Sequence, residues 1–234
     1  EYESTGGFIG GTYDGYVTRS PYGSIVGGYK MRMLDSENSF IGGGDSRNAN
    51  NSEYSVPMSL APNSAIVGGR GNVISTGTTK PVTSGSFIGG GTFNTIKSSA
   101  HSVIVGGYEN TIGDYDAGKA SGSRAATIVG GEENSILISP YSFIGGGFNN
   151  TIGVESSLDN RSHGSIYSAI VGGYNNDIKG ASTGSFIGVG WANDIDKSNF
   201  SLILGGTSHN IISSSHSMIG AGESLNIFDS VNSA

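Results

Sequence analysis

The chain has 234 residues, of which 41 are Gly and none Cys, and a net charge of −7. Gly is more than double its usual share of about 7% and charged residues fall well below the usual quarter, yet Gly has no three-residue period and Ile and Val recur throughout, which excludes collagen and plain disorder. Scattered basic residues exclude a phosphate-tracking surface and so nucleic acid as a partner, absent Cys excludes disulfides and thiolate metal sites, and no apolar run nears the eighteen or so residues that span a bilayer.

Read from the N-terminus, one phrase returns along the whole chain, and its period decides the fold. Aligned on a central Ile it reads S-x-I-x-G-G-x-x-N-x-I, numbered here as positions 1 to 11. The first three copies centre on Ile9, Ile25 and Ile41, sixteen residues apart. An insertion at 49–63 precedes Ile66, a second at 75–85 precedes Ile88, and Ile104 follows sixteen residues later. An insertion at 113–125 leads to Ile128 and Ile144, and one at 153–167 to Ile170. Ile187, Ile203 and Ile219 complete twelve copies. The chain opens on Glu1, and Ser233-Ala234 falls where a thirteenth copy would begin, so a longer array is expected.

Sixteen residues are too few for a helix-pair repeat and suit one coil of a parallel β-solenoid, or β-roll. Each copy alternates as a strand does, with Ser and Ile facing one way and variable residues the other. Twelve coils stacked at about 4.8 Å give a rod some 55–60 Å long. The insertions are expected to leave the stack after the second apolar anchor, position 11. Gly at position 6 recurs in every copy but the first, where Thr12 stands, which calls for positive φ or close backbone approach. Asn at position 9 (Asn72, Asn94, Asn110, Asn134, Asn150, Asn176, Asn193) has two readings, a left-handed turn residue or a side-chain amide ladder.

Positions 2 and 4 trade volume. Phe8, Phe40, Phe87, Phe143 and Phe186 at position 2 each accompany Gly at position 4, whereas small or Val residues at position 2 accompany Val26, Val67, Val105, Val129 and Val171. Leu202 with Leu204 is intermediate, and Met218 with Gly220 follows the Phe rule. Close-packed interiors practise such compensation. The expectation is a second buried face, covered by further copies of the same chain.

The S-F-I-G-G-G and S-A-I-V-G-G phrases resemble the Ser/apolar/Gly repeats of trimeric autotransporter adhesin heads, and similar repeats occur in phage and viral tail fibres. The resemblance implies a left-handed parallel β-roll, three of which pack about a threefold axis as a homotrimer. The adhesin unit runs about fourteen residues with a Ser-Val-Ala-Ile-Gly core, against sixteen with a double glycine here. What the resemblance implies is an extracellular, cell-surface or virion fibre that extends and attaches to a surface.

Chemistry-bearing residues are sparse. His101, His163, His209 and His216 lie apart, without metal-ligand spacing, and are expected at loops or coil edges. Neither a cofactor nor a metal site is implied. Paired carboxylates, as glycan-cleaving tail proteins use, are limited to Asp114 with Asp116, Glu132 with Glu133, and Asp194 with Asp196; Asp177 is expected one coil below Asp194, where a cation between the two is an alternative to solvated edge charge. Adjacent strand residues point to opposite faces, which sets Glu132 and Glu133 against a shared role. The expectation is therefore no enzyme, with a polysaccharide-cleaving spike and a receptor-free structural filament as the alternatives. The insertions concentrate Tyr54, Met58, Tyr115, Asp116, Arg124, Asp159, Arg161, His163 and Tyr167. Aromatic and Arg residues on loops held by a rigid scaffold make recognition surfaces, so these are the candidate contacts for a surface glycan.

Overall fold

A computed structural model describes residues 4–46, 58–76, 83–113, 122–153 and 164–230. These residues form an all-β parallel solenoid of twelve coils. Each coil contributes two short strands. The first, from Phe8–Ile9 to Met218–Ile219, joins one twelve-stranded sheet; the second, from Tyr16–Thr18 to Asn226–Phe228, joins another. Strand order in both sheets follows chain order, so each coil lies between its sequence neighbours.

The register stacks like on like. Position 3 forms an unbroken column from Ile9 to Ile219, with pairs such as Ile88↔Ile104, Ile128↔Ile144 and Ile187↔Ile203. Position 11 forms a second column through Val17, Met33, Met58, Ile74, Ile96 and Ile112, then Ile alone to Ile227. Both columns point inward and together make the apolar core. From Ile25 to Ile211 the isoleucines of these two columns are fully buried, and each contributes on the order of 1.5–3 kcal/mol.

Polar columns flank the core. Position 9 resolves in favour of the amide ladder: Nδ2 of Asn110 donates to Oδ1 of Asn94 at 3.1 Å, and Oδ1 of Asn110 accepts from Asn134 Nδ2 at 3.0 Å. The left-handed residue is instead the one before it, as at Glu109 (φ 53) and Asn149 (φ 53). Serines form two further columns. At position 1, Ser102 Oγ accepts the Ala126 N–H and donates to the Ser123 carbonyl. At position 14, Ser139 N–H donates to Ser123 Oγ and Ser165 N–H to Ser139 Oγ. Buried hydroxyls and amides are thereby satisfied by the coils above and below.

Coils turn at three left-handed corners, positions 8, 13 and 16, filled mostly by residues other than glycine, as by Glu133, Ile138 and Tyr141. Such conformations cost on the order of 1 kcal/mol each. The stack holds them by a rung-to-rung bond: Glu133 N–H donates to the Tyr108 carbonyl, Ser98 N–H to Ser75, and Tyr141 N–H to Arg124. Gly at position 6 meets both sequence-based reasons. At Gly107, φ is +103 and a Cβ would lie 2.2 Å from the Gly131 carbonyl oxygen.

Three expectations need correction. Met58 is not a loop residue but the position 11 anchor of the third coil, fully buried between Met33 and Ile74. The first insertion therefore falls between the two strands of a coil, ahead of that anchor. In the other three the chain rejoins the stack sooner than expected, at position 14: Thr83 Oγ1 accepts from Ser99 N–H, and Ser123 and Ser165 take their rungs in the serine column. Arg124 and Tyr167 consequently belong to the coil corner. His209, expected at an edge, is fully buried and occupies the asparagine column.

Candidate binding surface

Two features of the outer surface carry recognition chemistry: an apolar stripe and an aromatic corner. The stripe runs the length of the first sheet. Phe8, Val26, Phe40, Val67, Val105, Val129, Phe143, Val171 and Met218 are exposed on the single chain, and Phe87, Phe186 and Leu202 are partly so. The register stacks position 2 on position 2, as Phe40 with Ala65, Phe87 with Val103 and Phe143 with Ala169, so the Phe residues, Leu202 and Met218 stand in one column and the position 4 valines beside it on the same face.

The volume trade at positions 2 and 4 has a local cause. A Cβ on Gly10, Gly42, Gly89 or Gly145 would sit 2.7, 3.0, 3.3 or 3.5 Å from the ring of the Phe two residues earlier. The ring lies back over its own strand. The Gly also faces a backbone: at Gly42 and Gly89 a Cβ would meet the carbonyl oxygen of Val67 or Val105 at 2.4 Å. The compensation thus arises within and between coils of one chain and does not by itself require a covering partner.

The corner at position 16 forms the second feature. Its C-terminal rungs are Ala125, Tyr141, Tyr167, Gly184, Phe200 and His216, each tied to the coil before it by a backbone bond. The Arg124 guanidinium lies over the Tyr141 ring at 5.8 Å. Tyr141 and Tyr167 stack at 5.1 Å and 16°, and Phe200 stacks on His216 at 5.5 Å and 27°. Arg124 and Tyr167, chosen from the sequence for their composition, are therefore brought together by Tyr141, which was not. The signal for Tyr141 and Phe200 was present as an aromatic sixteenth residue, hidden by insertions that displace the count. Tyr54, Tyr115, Asp116, Asp159, Arg161 and His163 lie outside the described residues.

A shorter aromatic row crosses position 7, where Phe148 stacks on Tyr174 at 5.2 Å and Tyr174 meets Trp191 edge-on at 5.4 Å. Beside it, Asn149 Nδ2 donates to Asn175 Oδ1 at 2.8 Å.

The carboxylates are drawn into structure. Asp177 and Asp194 are register partners, and Lys179 Nζ lies 2.7 Å from Asp194 Oδ2 and 3.9 Å from Asp177 Oδ2. Lys179 thus supplies the positive charge that a cation between them would bring. Burial pulls Lys179 down, but the hydrogen bond and charge of Asp194, with Asp177 and Asp196 beyond, push it above its ordinary value. Burial raises Asp194 by more than Lys179 lowers it, and Asp194 Oδ1 has no hydrogen-bond partner among the described residues. The ion pair favours both charges and burial opposes both; burial prevails only on the carboxylate. Glu132 and Glu133 are exposed. Among the described residues no group of three or more His, Asp or Glu is placed to hold a metal ion.

No protein-family model matches the chain, and no curated protein matches it.

Proposed function

We propose that this chain is a structural and adhesive segment of an extracellular or virion surface fibre, assembled as a left-handed homotrimeric roll. The observation that carries the reading is the apolar stripe. It extends over all twelve coils, about 55 Å by the spacing of stacked strands, and continuous exposed apolar surface on that scale marks an interaction face. A second copy presents the same repeat at the same spacing, so a closed rotation about an axis parallel to the rod matches Phe and Val rungs along the entire length. The unbroken position 3 Ile column, with the Asn and Ser columns beside it, supplies stiffness, since successive coils are bonded to one another. Attachment to a neutral surface glycan falls to the aromatic corner and the Phe148–Tyr174–Trp191 row, whose rings stand on that rigid scaffold.

The test is the solution mass by light scattering after size exclusion. Three times 23.9 kDa is the expected result, and Val105→Asp together with Val129→Asp is expected to reduce it to the monomer while retaining β circular dichroism. A folded, monodisperse wild-type monomer would remove the oligomer from this reading.

A further inference from the structure

The aromatic corner has a missing rung. Gly184 stands between Tyr167 and Phe200 in the position 16 column, bonded through its N–H to the Ile166 carbonyl at 2.8 Å, so the backbone keeps its step while the ring is absent. Among the described residues two other glycines occupy this column, Gly6 and Gly85, and neither has rings on both sides: Tyr22 leans over Gly6 and His101 over Gly85. Only at Gly184 does a ring precede the gap and another follow it.

The gap has the width of one ring. Tyr167 and Phe200 are two coil steps apart, about 10 Å at strand spacing. A flat guest midway would lie about 5 Å from each ring, within the range for stacked rings and matching the 5.1 and 5.5 Å of the stacked pairs on either side. The exposures agree. Tyr141, covered by Arg124 on one face and Tyr167 on the other, is 44% exposed; Tyr167 is 64% and Phe200 60% exposed, each with one face stacked and one toward the gap. The Phe200 ring leans toward Gly184, whose absent Cβ would lie 2.7 Å from Phe200 Cδ1, so a guest in the gap sets this ring back toward His216.

The rim is polar and uncharged. The residues preceding the corner on the Gly184 and Phe200 rungs are Thr183 and Asn199, and Asn199 Oδ1 accepts the Thr183 N–H at 2.8 Å, which leaves its Nδ2 hydrogens as donors. An apolar slot with hydrogen-bonding groups at its mouth fits a ring whose faces are C–H and whose edge carries hydroxyls. We infer that the slot at Gly184, between Tyr167 and Phe200, is a subsite for one pyranose ring of a neutral glycan. This rests on the adhesive reading above and names where that adhesion is made.

Gly184 also provides the test. Its φ of +69 is close to the 57 of Tyr167, the 60 of Tyr141 and the 53 of Phe200, so the backbone there accepts a side chain once the Phe200 ring moves off the Cβ position. Gly184→Tyr restores the rung and fills the slot. The probe is an array of neutral oligosaccharides built from hexose, N-acetylhexosamine and deoxyhexose units, with the strongest binder then titrated in solution. Expected are a melting temperature for Gly184→Tyr no lower than wild type and binding weakened tenfold or more; Tyr167→Ala and Phe200→Ala, checked for folding by circular dichroism, weaken it similarly. Gly85→Tyr, at the same corner five coils before Gly184, leaves binding unchanged. Wild-type binding that all three slot variants retain overturns the subsite and leaves the adhesive reading standing. Absence of wild-type binding to every oligosaccharide overturns both.

Discussion

Asn94 and Asn110 share one hydrogen-bonding site across a coil boundary. The Asn94 Oδ1 accepts both the backbone N–H of Asn110 and its side-chain Nδ2, each at 3.1 Å. Asn110 Nδ2 also reaches the carbonyls of Gly106 at 3.1 Å and Gly131 at 3.0 Å. A single buried amide therefore binds its own coil and both neighbours. Asn110→Ala leaves several buried groups unpaired, at about 1–3 kcal/mol for each, and is expected to lower stability by roughly 3 kcal/mol or more. Chemical denaturation of the variant, with hydrogen exchange locating the loss at coils 5 to 7, checks this.

His209 interrupts that ladder. It accepts from Leu225 N–H through Nδ1 at 3.1 Å, while its Nε2 has no partner among the described residues. His209→Asn restores a rung able to reach the Gly222 carbonyl as Asn193 reaches that of Gly206 at 3.1 Å. The expected gain is about 1 kcal/mol, read as slower amide exchange over Asn226–Phe228. Unchanged or faster exchange there would count against the ladder as the source of stability.

Gly89→Val tests the volume trade. A Cβ there meets the Val105 carbonyl oxygen at 2.4 Å and the Phe87 ring at 3.3 Å, and overpacking of this kind costs typically about 1–3 kcal/mol. Adding Phe87→Ala removes only the softer contact. The double variant is expected to recover part of the loss, because the carbonyl is fixed by the coil. Full recovery would place the whole effect in the ring.

The acidic corner predicts a pH dependence of defined sign. Asp194 is raised, chiefly by burial, so the folded chain binds its proton more readily than the unfolded one. This contribution to stability is complete below the unfolded pKa and is lost as pH rises through the folded pKa. Asp35 runs the other way: the hydrogen bonds from Arg19, 2.6 and 2.7 Å long, hold it below its ordinary value, so its contribution is present above the unfolded pKa and lost as pH falls through the folded one. Melting temperatures between about pH 7 and pH 2, spanning ordinary carboxyl values, are expected to show Asp194→Asn steepening the acid loss of stability and Asp35→Asn flattening it. Identical profiles for the two variants would contradict both assignments.

Much of the architecture was legible because stacking repeats a chemical demand. A column of Ile at position 3 needs Ile in every copy, and a backbone approach such as that at Gly107, which admits no Cβ, needs Gly in each copy after the first, so both appear as spacing in the sequence. The Phe and Gly alternation was equally visible, but its cause was not, since only coordinates show the Phe87 ring folding over Gly89. Met58 was misplaced because Met in a column of Ile carries no repeat signature and an insertion shifts the count ahead of it. Tyr141 and Tyr167, 26 residues apart, become neighbours only when the corner bonds set the register.

The sequence by itself determined a parallel coil of sixteen residues, its inward Ile and Ser, its glycine turn and its apolar outer file, because these follow from alternation and from the absence of a Cβ. Tertiary structure alone decided that position 9 is a ladder and not a turn, that the left-handed corners fall on Glu109, Ile138 and Tyr141, and where the insertions rejoin the stack. Those outcomes depend on which carbonyl of the next coil each N–H meets, a relation between residues up to 26 positions apart that no local spacing encodes.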